Sequence, residues 1–170
     1  MKKRRMIPIL AALLALVCWC AWYSRPVSIF GLKPELQPAD INILIQRFDD
    51  SARGHERRSL DVDADTPEGQ ALLEQLEAIR IRRPPLNLLR NVLPSTITGR
   101  QTEPGQYNYA IHIFGTDGSW VALQFFLDEW KYDLPEQPQY LSCRVSDGKA
   151  LGQALGDELW EMAQQIESNP

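Results

Sequence analysis

The N-terminus combines basic residues with a long apolar run, and this feature constrains the rest of the fold most. Four cations at positions 2–5 precede an uncharged stretch of 18 residues, 6–23. As a helix, that stretch is roughly 27 Å long, close to the hydrocarbon thickness of a bilayer. Because such cations stay on the cytoplasmic side, the pattern predicts a single-span anchor over residues 1–24, with the N-terminus inside and the domain outside.

The leader also leaves cleavage and lipidation open. A secretory signal peptide ends in small residues at the first and third positions before the cut, and Cys18 with Cys20 is the only tolerable pair. The same two cysteines are candidates for lipidation, but Val17 and Trp19 precede them where a lipobox has a small residue. We therefore expect an uncleaved anchor in the cell membrane, with a secreted or lipid-anchored domain as the alternative.

Residues 25–170 are long enough for one domain with its own hydrophobic core. Removing the four N-terminal cations from the whole-chain net charge of −4 leaves −8, which does not suit a nucleic-acid or anionic-membrane ligand. The single cysteine of this part, Cys143, has no partner for an internal disulfide and shares an apolar face with Leu141 and Val145. We expect a buried structural thiol there.

Residues 25–38 are rich in proline and predict a stalk, whose apolar residues can dock on the domain: Val27, Ile29, Phe30 and Leu32. Alternation of apolar and polar residues then predicts strands over 39–48 and 57–63, joined as a hairpin. Thr66 and Pro67 are typical of a helix start. A buried stripe at helical spacing follows, made by Leu72, Leu73, Leu76 and Ile79.

After a region expected to form a short helical turn (86–93) and a loop (94–106), residues 107–114 and 120–127 form the clearest hairpin. A two-residue turn would mix apolar and polar residues on both faces, whereas a three-residue turn with a left-handed Gly118 gives one apolar face. The sequence therefore predicts the second register, which pairs Ile113 with Val121, Ile111 with Leu123, Tyr109 with Phe125 and Tyr107 with Leu127.

A short strand near 130–132, a strand over 140–145 and a final helix capped by Ser146 or Asp147 complete the prediction. The apolar stripe of that helix is expected to contain Leu151, Leu155, Leu159, Met162 and Ile166. Together the elements predict an α+β domain over residues 39–167. It should have an antiparallel sheet of about four to six strands and two helices packed on one face, in addition to an N-terminal transmembrane helix.

The familiar catalytic and metal-binding motifs are incomplete. Asp61, Asp63 and Asp65 resemble the start of a calcium loop, but Thr66 and Leu72 stand where that loop needs a glycine and a bidentate glutamate. The two histidines lack the companions of a zinc site, and a G-x-S-x-G elbow is absent from the sequence. The sequence therefore predicts no catalytic residue and no cofactor.

Two surfaces remain as candidate binding sites. On the predicted register, three rings lie opposite the apolar stripe with two polar side chains between them: Phe114, Trp120 and Phe126, with His112 and Gln124. A basic run is available to bind an acidic partner or a teichoic-type polymer, or to pair with the acidic C-terminal half of the fold: Arg80, Arg82 and Arg83. The stalk or residues 86–106 could equally cover the aromatic face.

The order of these features resembles a known group. The basic and apolar leader, the proline-rich stalk and the motifs I-x-I-x-I, D-V-D-A-D-T-P-E, Y-x-Y-x-I-x-I and Y-L-S-C-R are similar to small membrane-anchored extracytoplasmic domains of unknown function from Gram-positive bacteria. The resemblance covers roughly residues 39–166. It implies an α+β sandwich at the cell surface and supplies no catalytic residues, and the missing lipobox departs from the lipoprotein members.

These observations favour a membrane-anchored extracytoplasmic binding or regulatory module, with a protein or an envelope component as its partner and no nucleic acid. Two alternatives remain: a small envelope-associated hydrolase with an unrecognised site, and a calcium-stabilised structural domain. A deep cleft with converging carboxylate and histidine groups would favour the hydrolase. A flat aromatic sheet face would favour the binding module.

Overall fold

Alternating strands and amphipathic helices build an α+β fold around one antiparallel sheet. The computed structural model describes residues 3–49, 54–85, 103–136 and 141–168. The elements are α1 (Lys3–Tyr23), a 3-10 turn (Phe30–Leu32), β1 (Pro38–Phe48), β2 (His55–Asp63), α2 (Pro67–Ala78), β3 (Ile81–Arg82), β4 (Tyr107–Gly115), β5 (Trp120–Phe126), β6 (Glu129–Asp133), β7 (Leu141–Val145) and α3 (Gly148–Ser168). Across the sheet the strand order is β2-β1-β4-β5-β6-β7-β3.

The N-terminal helix α1 exposes apolar side chains around its circumference: Ile9, Leu10, Leu13, Leu14, Leu16, Val17, Trp19 and Trp22. Within the described part of the chain, no helix reaches the combined length and hydropathy needed to cross a bilayer. The single-span anchor that the leader suggests thus stays a prediction.

The sheet has seven strands, so the expectation of about four to six is wrong. The additional strand is β3, which is only two residues long and therefore contains no alternation for a sequence pattern to reveal. It pairs with β7 at one edge of the sheet. On its other side, Val27 and Ile81 exchange two backbone hydrogen bonds of 3.0 and 2.8 Å.

This bridge ties residues 25–38 to the domain. Ile29 is fully buried, and Leu36 also belongs to the hydrophobic core. Val27, Phe30 and Leu32 pack against the core, as expected for a docked segment. Beyond them, Lys33 forms an ion pair of 2.7 Å with Glu136. The segment is therefore packed against the domain along much of its length.

The hairpin of β4 and β5 has the predicted register, with its three inner apolar pairs in place. Gly118 has a φ of 77°, as the three-residue turn requires. The fourth predicted pair, Tyr107 with Leu127, does not form because β5 ends at Phe126. Instead Leu127 and Asp128 take φ values of 51° and 61° and turn the chain directly into β6.

Helices α2 and α3 pack on the same face of the sheet, as predicted. The Thr66 hydroxyl caps α2 by accepting a hydrogen bond of 3.1 Å from the Gly69 amide. The expected stripe of α3 is wrong at its end, since Ile166 is 47 % exposed beyond the edge of the core. The predicted helical turn at 86–93 and the loop at 94–102 lie outside the described residues.

Three glycines at four-residue spacing let the backbone of α3 approach the sheet. A Cβ at Gly156 would lie 2.7 Å from the Tyr107 ring, and one at Gly148 would lie 3.0 Å from the Trp130 ring. A Cβ at Gly152 would overlap the Phe125 ring. The contact also carries hydrogen bonds, because Tyr109 donates to the Gly152 carbonyl at 3.2 Å and Trp130 donates to that of Gly148 at 2.7 Å. The helix therefore rests on aromatic rings.

We expect Gly152→Ala to destabilise the domain, although alanine is the better helix former by about 1 kcal/mol. The added methyl group must displace the Phe125 ring or the helix, and overpacking of this kind typically costs about 1–3 kcal/mol. Urea unfolding of the two proteins measures the loss. Gly31→Ala is the matched control, since its Cβ would meet Val27 at an ordinary 3.4 Å. Equal midpoints for Gly152→Ala and the unaltered chain would contradict the packing.

Candidate functional site

The period-two alternation of the strands gives the sheet two unlike faces. The inner face packs under α2 and α3 and carries the core. The outer face is left uncovered by those two helices, and three of its large apolar side chains are substantially exposed: Leu44 at 40 %, Phe114 at 38 % and Phe126 at 38 %. We define the outer face by these residues together with Asn42, His112, Trp120, Gln124, Lys131 and Asp133.

The predicted aromatic residues lie on the outer face of the adjacent strands β4 and β5, with Phe114 and Trp120 at one end of the hairpin and Phe126 at the other. Phe114 and Trp120 lie opposite each other across β4 and β5. The half-buried His112 ring contacts both of them edge-on, with centroids 6.2 Å from each. On the next strand, the ammonium of Lys131 lies 5.3 Å from the Phe126 ring centre. The structure thus assembles His112, Phe114, Trp120, Gln124 and Phe126 on one surface.

His112 is electrostatically coupled to Asp133, which the sequence analysis did not single out. Ala122 lies between them in the cross-strand row. Burial lowers the pKa of His112, and the Asp133 carboxylate partly opposes that shift. Burial raises the pKa of Asp133, while the Leu134 amide and His112 oppose the rise. His112 is therefore held mainly neutral at pH 7.

An acidic corner closes one end of the outer face. Asp40, Asn42, Asp61, Asp63 and Phe114 line a depression of about 420 Å³ there. Asp40 lies directly opposite Asp63, and Asn42 donates a hydrogen bond to Asp61. This corner combines like charges with an aromatic wall, so it is complementary to a cation with an apolar stem.

The calcium candidate is not assembled in the structure. Asp61 and Asp63 point outward from β2, while Asp65 lies in the following turn. The backbone amide of Asp65 donates a hydrogen bond of 2.9 Å to the Asp63 carboxylate. In the described ranges, no three side chains of the His, Cys, Asp or Glu type are placed to hold a metal ion together. Asp61 and Asp63 are alternate residues of one strand and share its solvent face.

The arginines proposed as a binding site lie at the β3 edge of the sheet, away from the aromatic residues. Arg80 and Arg82 are exposed, whereas Arg83 is half-buried with its guanidinium 4.5 Å from the Tyr23 ring centre. Arg82 lies opposite Arg144 across β3 and β7. None of these four makes an ion pair among the described residues, so the expected pairing with the acidic half of the fold is not seen there.

Cys143 is buried on the inner face, as predicted. Burial raises the pKa of its thiol to about 12, so the thiol stays protonated near neutral pH. A protonated, enclosed thiol does not act as a nucleophile.

Comparisons of the chain with protein-family models, with curated proteins and with solved structures found no match. Two features remain as candidate binding surfaces: the outer face, and the arginines near its β3 and β7 edge, Arg80, Arg82, Arg83 and Arg144.

We expect His112 to titrate below its ordinary pKa of 6.5. The unfolded chain then takes up the proton first, so this group reduces folded-state stability as the pH falls through that value. In a His55→Gln background, NMR titration of the one remaining histidine measures the midpoint directly. Asp133→Asn should lower the midpoint further, because it removes the carboxylate that favours the charged imidazole.

Asp157→Asn is the matched control, since it removes an exposed carboxylate from α3 on the other side of the sheet. It should leave the His112 midpoint unchanged. A midpoint above 6.5, or one that Asp133→Asn does not move, would contradict the coupling.

Proposed function

We propose that this chain is a membrane-anchored binding module whose outer face docks a protein partner outside the cytoplasmic membrane. The observation that carries this proposal is the outer face itself, where Phe114 and Trp120 flank the half-buried His112, and Leu44 and Phe126 are exposed on the same face. Exposed apolar and aromatic side chains on one face, with polar groups among them, are typical of interaction sites.

The chemistry of the outer face favours a protein over a small molecule. Aromatic side chains supply the anchors of protein interfaces, and the polar groups around them fix the orientation of the partner. Phe114 and Phe126 are the exposed anchors, and Gln124 and Lys131 are polar neighbours. At the acidic corner the partner is expected to place a Lys or Arg against Asp61 and Asp63.

The anchor part of the proposal rests on the leader. Four cations precede the apolar stretch, and α1 exposes large apolar side chains on every side instead of one amphipathic stripe. Trp19, Trp22 and Tyr23 lie near the end of α1, where amphipathic rings favour the headgroup layer. The domain therefore follows the membrane on the outer side.

A hydrolase is less well supported by this geometry. His112 with Asp133 is half of a general-base arrangement. However, the pair lies on an open face with substantially exposed neighbours, whereas active sites exclude water from the reacting groups. A contact surface explains the pair and the aromatic residues together.

Photocrosslinking from the outer face tests the binding proposal. The full chain carries benzoylphenylalanine either at Gln124, on the outer face, or at Gln164, exposed on α3. In native membranes we expect a discrete protein adduct from position 124 and none from position 164. Replacing Phe114 and Phe126 together by serine should reduce the adduct about tenfold or more, since interface anchors dominate binding energy.

Ile166→Ser is the matched control, because it removes an exposed apolar side chain from α3 and should leave the adduct unchanged. Circular dichroism of each variant verifies that the fold is retained. Equal adducts from both positions, or an adduct that survives the double phenylalanine replacement, would refute the outer face as the docking surface.

The anchor is tested separately by topology. A tag at the C-terminus should be removed by protease added to intact cells or spheroplasts, because the basic leader keeps only the N-terminus inside. A cytosolic protein in the same sample should stay intact, which controls for lysis. Protection of the tag would place the domain inside and overturn the anchor proposal.

A further inference from the structure

The arginine edge, comprising Arg80, Arg82, Arg83 and Arg144, lies directly beside the end of α1. Only three residues separate Tyr23 from Val27, which bridges to Ile81 in β3. The guanidinium of Arg83 stacks over the Tyr23 ring at 4.5 Å, and that of Arg25 stacks over Trp22 at 5.1 Å. The domain edge is thus fixed to the last turn of the helix by backbone and side-chain contacts.

The arginine edge also contains an unbalanced like-charge pair. Arg82 and Arg144 are opposite residues on adjacent strands, which lie about 4.8 Å apart. Their strand neighbours Ile81 and Val145 face the core, so both arginines project on the side of the outer face. Like charges in this position are destabilising unless an anion lies between them. Neither forms an ion pair within the described residues.

The position of the arginine edge relative to the bilayer indicates which anion lies near the arginines. If α1 crosses the membrane as proposed above, Trp22 and Tyr23 lie in the headgroup layer. Arg83 contacts Tyr23. Arg80 is three residues earlier, and an extended chain advances about 3.3 Å per residue, so Arg80 lies within about 10 Å of Arg83. Lipid phosphates occupy the same layer.

The net charge of −8 outside the leader argues against an anionic surface only if that charge is spread evenly. Asp40, Asp61 and Asp63 lie on β1 and β2, at the far edge of the sheet from β3. Five to six strand spacings amount to about 24–29 Å, whereas electrostatic screening at physiological salt acts over about 8 Å. These three carboxylates are therefore too far away to neutralise the charge of the arginine edge.

We infer that the arginine edge binds anionic phospholipid headgroups and holds the domain against the membrane. This inference rests on the proposed anchor and adds a second, electrostatic contact to it. The phosphate of a lipid lies between Arg82 and Arg144 and relieves their repulsion. The sheet then meets the bilayer at its β3 edge, while the acidic corner is directed away from it.

Reconstitution of the full chain tests this inference. The chain, with Cys18 and Cys20 replaced by serine, enters vesicles of phosphatidylcholine with or without phosphatidylglycerol. A fluorophore on Ser146→Cys, exposed beside β7, is quenched by headgroup-labelled lipid when the edge is docked. Cys143 is buried and protonated and does not compete for the label. We expect stronger quenching with phosphatidylglycerol, declining as salt is added.

Removing both cations in Arg82→Gln with Arg144→Gln should lower the docked-to-undocked ratio about tenfold or more. Arg47→Gln with Arg57→Gln removes the same charge from exposed positions elsewhere and should leave the ratio unchanged. Quenching that ignores phosphatidylglycerol, or an equal loss in the control pair, would overturn the inference. Release by inorganic phosphate, but not by chloride at equal ionic strength, would assign the site to a soluble phosphate instead.

The two proposals fail in different ways. A chain that enters neither kind of vesicle disproves the anchor, and this inference with it. A chain that enters both kinds but shows no dependence on lipid charge disproves the headgroup contact alone.

Discussion

The structure depends on the close contact between the glycines of α3 and the aromatic rings of the sheet. Gly148, Gly152 and Gly156 place the helix backbone on Trp130, Phe125 and Tyr107. Burial, with a hydrogen bond to Asp157, raises the pKa of Tyr107 to about 12, so this ring stays neutral beneath the helix. Because α3 lies so close to the sheet, it covers the inner face together with α2. The outer face of the sheet is left for other contacts.

The two candidate surfaces follow from that asymmetry. On the outer face, aromatic side chains lie on β4 and β5, carboxylates on β1 and β2, and arginines on β3 and β7. The two proposed contacts, with a partner and with a membrane, therefore use different parts of one sheet and are compatible with each other.

The sequence predicted features that depend on neighbouring residues. The alternation of β1 and β2, the Thr66 cap, the turn at Gly118 and the burial of Cys143 all follow from local periodicity and turn chemistry. The aromatic residues of the outer face could be predicted from the sequence for the same reason, since one hairpin register determines which face Phe114 and Trp120 occupy.

Features that join strands distant in the chain could not be predicted from the sequence. The coupling of His112 to Asp133 spans β4 to β6, and the pair Arg82 with Arg144 joins residues far apart in the chain. β3 is too short to show a period. The spacing of Gly148, Gly152 and Gly156 was visible, but its meaning required the aromatic rings beneath it. Ile166 matched the helical period, yet the sheet ends before it.

The place of β3 has a consequence for how the molecule matures. This strand precedes β4 in the chain, yet its partner is β7, more than sixty residues later. Non-local pairing of this kind waits for the distant segment. If the leader directs export as proposed, the arginines of β3 leave the cytoplasm before the strand that completes their edge, so the pair of β3 and β7 forms late in folding.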